Sequence, residues 1–209
     1  MLTSLVLRAS SMSTLTTLSL KENPNLAFMD LDSCTALKKL CIEGCAAMTS
    51  LEGLKTLTDL TYLKVQNTPG FTGSWLSAAA EAKGDREERS NFPGALEELD
   101  IDDVSVLCVP ICNEHEKALL LLPASLQQLK FDRFKHLLSL PAELESLTSL
   151  QILSLDKCQH INSLPAGGLP ASLKSMDVYR CSRELNAICR DLRRVHKIHL
   201  TIDGTQEEE

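Results

Sequence analysis

Residues Leu147 to Cys181 read LTSLQILSLDKCQHINSLPAGGLPASLKSMDVYRC, and the spacing of their apolar side chains decides the fold. With Leu150 as position 1, leucines fall at positions 4 and 6 (Leu153, Leu155), Cys158 takes position 9, and Ile161 and Leu164 take 12 and 15. Leu173 restarts the series 23 residues later, with Met176, Val178 and Cys181 at positions 4, 6 and 9. A helix would keep spacings of three and four throughout, and a lone strand would go on alternating. A short period-two burst, wider spacing and then a restart make a leucine-rich repeat, in which a strand is followed by a turn and an irregular return path.

The same frame runs back through the chain. Leu126, Leu129, Phe131, Leu137 and Leu140 form a repeat of 24 residues, and Leu37, Leu40, Ile42, Cys45, Met48 and Leu51 one of 23. Leu15, Leu18, Leu20, Asn23 and Leu26 form one of 22. Leu60, Leu63 and Val65, and then Leu96, Leu99 and Ile101, begin two more with longer returns. Leu2, Leu5 and Leu7 read as an opening strand, although they stand only 13 residues before Leu15, and Val195, Ile198 and Leu200 read as a closing one. The expected fold is α/β: a solenoid (horseshoe) of about eight repeats spanning residues 1–209 as one domain. A parallel β-sheet lines its concave face, and irregular or short helical segments form the convex side.

Composition agrees with this reading. Leucine supplies 39 residues while aromatics are 4%, because stacked repeats fill one narrow interior with similar side chains. A net charge of −7 argues against a nucleic-acid partner, which needs clustered cations. The longest apolar run, Ala118 to Leu122, is far short of the roughly 20 residues of a membrane span, so no membrane partner is expected. The pattern is already running at Leu2, with no leader before it. Of the eight cysteines, Cys45, Cys158 and Cys181 occupy position 9, where Asn or Cys faces the turn after the strand. No Asn-x-Ser/Thr sequon occurs. Both features favour a reducing, cytoplasmic or nucleo-cytoplasmic setting. Cys108, Cys112 and His115 lack a fourth ligand nearby and read as core residues, so no metal is expected.

Positions 3, 5, 7 and 8 of each repeat face the concave surface. The candidate protein-binding residues are therefore Tyr62, Lys64 and Gln66 on one strand, and Glu98, Asp100, Asp102 and Asp103 on the next. Gln128, Lys130, Asp132 and Arg133 follow, then Asp156 and Lys157, then Tyr179 and Arg180. Four carboxylates on one strand read as a cross-strand charge ladder with Lys64, Lys130 and Arg133. The sharper reading is an acidic patch that selects a basic partner. Both readings expect Asp100 and Asp102 to point to solvent and to tolerate reversal to Lys.

Several segments depart from the frame. Position 9 is Thr68, Val104 and Phe134 in the middle repeats, which removes the expected turn residue. Residues 69–95 form an insertion, with a short helix over Trp75 to Ala82 and a charged loop. A second long return, residues 105–125, carries a helix beginning at Asn113. From Ser182 a helix with an apolar face of Leu185, Ile188, Cys189 and Leu192 leads to the closing strand, a cap over residues 182–204 before a tail at 205–209. No such cap is visible at the N-terminus, which suggests the end of something longer, prone to fray or self-associate over residues 1–20.

The residues Leu140-Pro141, Leu147-Thr148-Ser149-Leu150, Cys158, Leu164-Pro165, Gly168-Leu169-Pro170 and Ser172-Leu173 resemble the repeats of plant intracellular immune receptors of the nucleotide-binding, leucine-rich-repeat class. The ending, with Cys181, Cys189, Lys197-Ile198 and Ile202-Asp203-Gly204, is similar to the coiled-coil type of grasses. The resemblance covers residues 15 to 204 and is closest after Leu126. It implies protein recognition: the repeat surface binds a pathogen or pest effector, or a host protein the effector alters, and folds back on the receptor's nucleotide-binding domain to keep it off. No Gly-x-x-x-x-Gly-Lys-Ser/Thr loop occurs here, so ATP or ADP would be bound only by an upstream domain, and no cofactor is expected in this chain. His-Glu-x-x-His and Gly-x-Ser-x-Gly are also absent, and no enzyme is expected. The alternative is the substrate-recognition part of a ubiquitin-ligase adaptor or another intracellular scaffold.

Overall fold

The computed structural model describes residues 4–6, 12–69, 92–102, 122–135, 137–140, 142–165 and 168–206. The chain is α/β, with a mostly parallel sheet and few helices. In order, the strands are β1 (Ser4–Val6), β2 (Thr17–Lys21), β3 (Phe28–Asp30), β4 (Lys39–Glu43), β5 (Ser50–Glu52) and β6 (Tyr62–Gln66). They continue with β7 (Glu98–Asp102), β8 (Gln128–Asp132), β9 (Ile152–Asp156), β10 (Ser175–Tyr179), β11 (His199–Ile202) and β12 (Thr205–Gln206). Helix α1 spans Arg183–His196, between β10 and β11. Nine strands form one sheet in the order β2-β4-β6-β7-β8-β9-β10-β11-β12, and β1, β3 and β5 form a second, smaller one.

Strand β4 and strands β6 to β11 each present one apolar, mostly leucine face inward because side chains alternate along an extended chain. Leu40, Ile42, Leu63, Val65, Ile101, Phe131, Leu153 and Met176 are fully buried, while the residues between them face outward. A fully buried leucine-sized side chain contributes roughly 1.5–3 kcal/mol, so this row is the main source of stability. Six strands of the large sheet (β2, β4, β6, β8, β9 and β10) then end in the same way. Glu22, Asn67, Arg133, Lys157 and Arg180 adopt left-handed backbone with φ between 50° and 54°, and Gly44 does so at 71°. All six stand at position 8. The turn lets the position-8 N–H donate to the next strand's position-7 carbonyl, as in Glu22 to Glu43 (2.9 Å), Arg133 to Asp156 (2.7 Å) and Lys157 to Tyr179 (2.8 Å).

Position 9 then closes the turn with a side-chain donor. Asn23 Nδ2 donates to the Lys21 carbonyl at 2.8 Å, and Cys158 and Cys181 do the same to Asp156 and Tyr179 at 3.5 Å. Thr68 was expected to lack this bond, yet its hydroxyl donates to the Gln66 carbonyl at 3.0 Å. Phe134 is the departure: it cannot donate, and packs edge-on against Phe131 with centroids 4.9 Å apart.

The two ends correct the sequence reading. β1 does not open the large sheet beside β2; it pairs with β3 in the small sheet, Leu5 opposite Met29, and Met29 lies one strand from Leu51. Met29 and Leu51 both occupy position 15, so Leu5 matches position 15 rather than 4. Leu15 then follows Leu5 by 10 residues, much as Leu37 follows Met29 by 8 and Leu60 follows Leu51 by 9. At the other end the closing strand forms, but in a register two residues later than expected: Leu200 pairs with Met176 and Ile202 with Val178. Thr205 and Gln206, read as tail, form the antiparallel strand β12 against β11.

Helix α1 matches its signals. The Ser182 hydroxyl accepts the Leu185 N–H at 3.1 Å, Glu184 sits in the first turn, and Leu185 and Cys189 are buried in the core. Among the described residues no helix is long and apolar enough to cross a membrane. The helices expected over Trp75 to Ala82 and from Asn113 lie outside the described residues.

Candidate functional site

The outer face of the nine-stranded sheet gathers the candidate binding residues into rows, because the strands align in register. Tyr62 pairs with Glu98 and Lys64 with Asp100; Glu98, Asp100 and Asp102 then oppose Gln128, Lys130 and Asp132. Asp132 opposes Asp156, and Asp156 opposes Tyr179. Asp103 lies outside the described residues, as do Cys108, Cys112 and His115.

Depth divides this set. Asp102 is 1% exposed, and Gln66 and Asp132 are 5% exposed, so these three are not contact residues and Asp102 does not point to solvent. Asn67 N–H donates to Asp102 Oδ2 at 2.7 Å, so the carboxylate takes the place of a backbone acceptor at the strand end. Gln66 Nε2 donates to Asp100 Oδ1 at 2.7 Å, bracing the half-buried Asp100 across two strands. Burial pushes the Asp100 carboxyl above its usual range, against the opposing pull of Lys130, the Gln66 bond and Lys64. Asp132 is raised in the same way, chiefly by burial, with Arg133 opposing and Asp156 adding to the shift.

The cations lie over these carboxylates. Arg133 Nη2 stands 3.0 Å from Asp132 Oδ2 and 3.7 Å from Asp102 Oδ2. Lys130 and Lys157 approach Asp156 at 3.9 and 3.7 Å. Lys64 pairs instead with Glu43, at 3.6 Å, in a chain that includes Lys21 at the same distance. The charge ladder forms in part, since Arg133 meets a β7 carboxylate while Lys64 and Lys130 pair with Glu43 and Asp156, and at Arg133 the negative charge lies beneath the positive: Arg133 is 44% exposed at its side chain and Asp102 only 2%. Such partly exposed pairs contribute about 0–1 kcal/mol each, so they order the face more than they stabilise it.

Two aromatic residues complete the surface. Tyr62 is half-buried, with Lys39 Nζ 5.9 Å from its ring centroid, and burial pushes its phenol up to about 12. Tyr179 is 40% exposed and carries the Arg180 guanidinium 4.9 Å from its ring centroid.

The sequence reading passed over position 2 of the frame. Glu97, Gln127, Gln151 and Lys174 line an open trough of about 610 Å³ at the N-terminal ends of β7 to β10, with Ser125 and Ser172 at its floor. Those two hydroxyls are spent on carbonyls, Leu96 and Leu150 at 2.7 Å each, and Lys174 Nζ meets Gln151 Oε1 at 3.0 Å. Among the described residues no three His, Cys, Asp or Glu side chains converge as metal ligands. No family model matches the sequence, and comparison with curated proteins finds no match.

Proposed function

We propose that the chain is a leucine-rich-repeat solenoid whose concave surface, the outer face of the large sheet, recognises a protein. On this reading it serves in an intracellular receptor similar to the plant immune receptors, binding a pathogen or pest effector or an altered host protein and restraining a nucleotide-binding switch. One observation carries the proposal. Leu18, Leu40, Leu63, Leu99, Leu129, Leu153, Met176 and Leu200 are successive partners across eight parallel strands, so one sequence position builds one structural row. Strands about 4.8 Å apart then set the outward residues into a strip roughly 30 Å long, enough for an interface of ordinary size. The polar groups on that strip are tied to each other rather than poised around a reacting atom, which favours binding over catalysis.

The test has two arms. A transcript encoding the chain should carry a phosphate-binding loop in frame upstream; an upstream F-box would instead favour the adaptor. A photo-crosslinking residue at Gln128, on the outer face, should join the chain to the receptor's own nucleotide-binding domain in the full-length protein, and one at Lys55, exposed on the 3-10 turn Leu54–Thr56 that follows β5, should not. Equal crosslinking from both positions would overturn recognition by this face.

A further inference from the structure

We propose that Arg180, braced on Tyr179, anchors an acidic segment of the protein partner; this rests on the recognition reading above. The argument starts from backbone conformation. Position 8 requires left-handed φ, which glycine and asparagine enter at little cost, and two turns use Gly44 and Asn67 there. The last three position-8 residues described before helix α1 hold cations instead: Arg133, Lys157 and Arg180, at φ 53°, 54° and 50°. A local rule broken three times running calls for a compensating interaction.

For two of the three the compensation is plain. Arg133 lies 3.0 Å from Asp132, and Lys157 lies 3.7 Å from Asp156, each neutralising the carboxylate that precedes it. Arg180 is preceded by Tyr179 instead, and its guanidinium rests on that ring at 4.9 Å. Its backbone N–H is held by Asp203 Oδ1 at 2.7 Å, which fixes the main chain from the next strand. Among the described residues no carboxylate pairs with the Arg180 side chain.

The result is a guanidinium with no paired carboxylate among the described residues, stacked on an exposed tyrosine. Tyr179 and Leu138 are the large exposed apolar side chains among the described residues. Arginine and tyrosine are the types that carry most binding energy at protein interfaces. A guanidinium already packed on a ring gives up less freedom and less water when a carboxylate arrives than a free lysine would. Asp177 Oδ2 on the same strand accepts from Ser154, and Asp203 Oδ1 is tied to the Arg180 N–H, so the guanidinium is the group at this edge left to meet an incoming carboxylate.

The test is selection of random dodecapeptides displayed on phage against the whole chain, followed by affinities for the variants. The enriched peptides should carry several Asp or Glu residues, and Arg180→Glu should weaken them by at least about tenfold. Arg180→Gly should weaken them similarly while leaving thermal stability equal or higher, since glycine suits the left-handed turn. That pattern separates a binding role from a structural one. Glu98→Lys is measured beside them, as the substitution a basic peptide would feel. Basic peptides that depend on Glu98 and ignore Arg180 would overturn the anchor while recognition by this face stands. Peptides indifferent to both substitutions, or no enrichment at all, would overturn both.

Discussion

Asn67 donates its backbone N–H to Asp102 Oδ2 at 2.7 Å, a bond that at Glu22, Gly44, Arg133 and Lys157 goes to a main-chain carbonyl. Arg180 and Asp203 form the matching pair near the other end, also at 2.7 Å. In both places a carboxylate, not a peptide group, closes the left-handed turn. Asp102 additionally meets Arg133 at 3.7 Å and is almost completely covered.

Removing that carboxylate leaves a turn N–H without its acceptor and takes a partner from Arg133. Asp102→Ala should therefore cost about 2–4 kcal/mol in urea-induced unfolding, whereas Asp102→Asn, which keeps an acceptor, should cost about half as much. Asp102→Lys should prevent stable folding, contrary to the solvent-facing expectation. An alanine variant within about 0.5 kcal/mol of the parent would show the bond to be dispensable.

Two left-handed glycines among the described residues, Gly44 and Gly53, should behave differently. A Cβ at Gly44 would meet Glu22 Oε1 at 2.7 Å, the far end of a flexible side chain that can swing away. At Gly53 it would meet Asp32 N at 2.5 Å and the Leu31 carbonyl carbon at 2.9 Å, which are backbone. Gly44→Ala should thus cost about 1 kcal/mol, the left-handed penalty alone, and Gly53→Ala about 3 kcal/mol or more. Equal costs in parallel denaturation curves would refute the distinction.

These sites show how far the residue pattern could be read. Leucines three and two apart marked the inward row of β2 to β10 because alternation dictates side. It does not dictate depth. Asp102 alternates outward like Asp100, but the turn at position 8 brings the neighbouring N–H over it, and Arg133 covers what remains. The first strand was misplaced because a three-residue leucine spacing serves both positions 1 and 4 and positions 12 and 15. Only its pairing with β3 tells them apart. Thr68 was discounted for being neither Asn nor Cys, although any short donor can reach the position-7 carbonyl. Tyr179 and Arg180 were both marked as surface residues; their stacking was not legible, because it depends on side-chain reach across the turn.

Asp100 gives the face a pH dependence of defined sign. Burial raises its carboxyl, so the folded chain holds this proton more tightly than the unfolded chain. Stability from this group is then greatest when it is protonated, and is lost as pH rises through the ordinary carboxylate range near 3.9 and on through the raised folded value. At neutral pH the cost of ionisation is fully present. Asp100→Asn keeps an oxygen for Gln66 and removes that cost. It should match or exceed the parent's melting temperature at pH 7, with the advantage vanishing toward pH 4. A variant less stable at pH 7 than at pH 4, relative to the parent, would reverse the sign and contradict the burial argument.

Thiol chemistry offers a check on the turn assignment of the cysteines. Cys45, Cys158 and Cys181 each donate to a carbonyl, at 3.9, 3.5 and 3.5 Å. Cys34, Cys45, Cys158 and Cys189 are buried, and Cys41 and Cys181 are half-buried. Burial pushes the Cys189 thiol up to about 12 and raises Cys34, Cys41 and Cys45. Cys181 moves the other way, because the Cys158 thiol beside it can turn its one hydrogen from the Asp156 carbonyl to a Cys181 thiolate, and the same contact drives Cys158 up. Alkylation proceeds through the thiolate, so accessibility and acidity point to the same residue. In a short iodoacetamide exposure at pH 7.5, Cys181 should be modified first among the described cysteines and Cys41 next. The four buried thiols should react only on unfolding, as peptide mass spectrometry would read. Cys158→Ala should slow Cys181 by removing the donor. The melting temperature should be unchanged by reductant, since these sulfurs act as hydrogen-bond donors and core atoms. Modification of Cys158 or Cys45 as fast as Cys181, or a large fall in melting temperature on reduction, would undo the assignment.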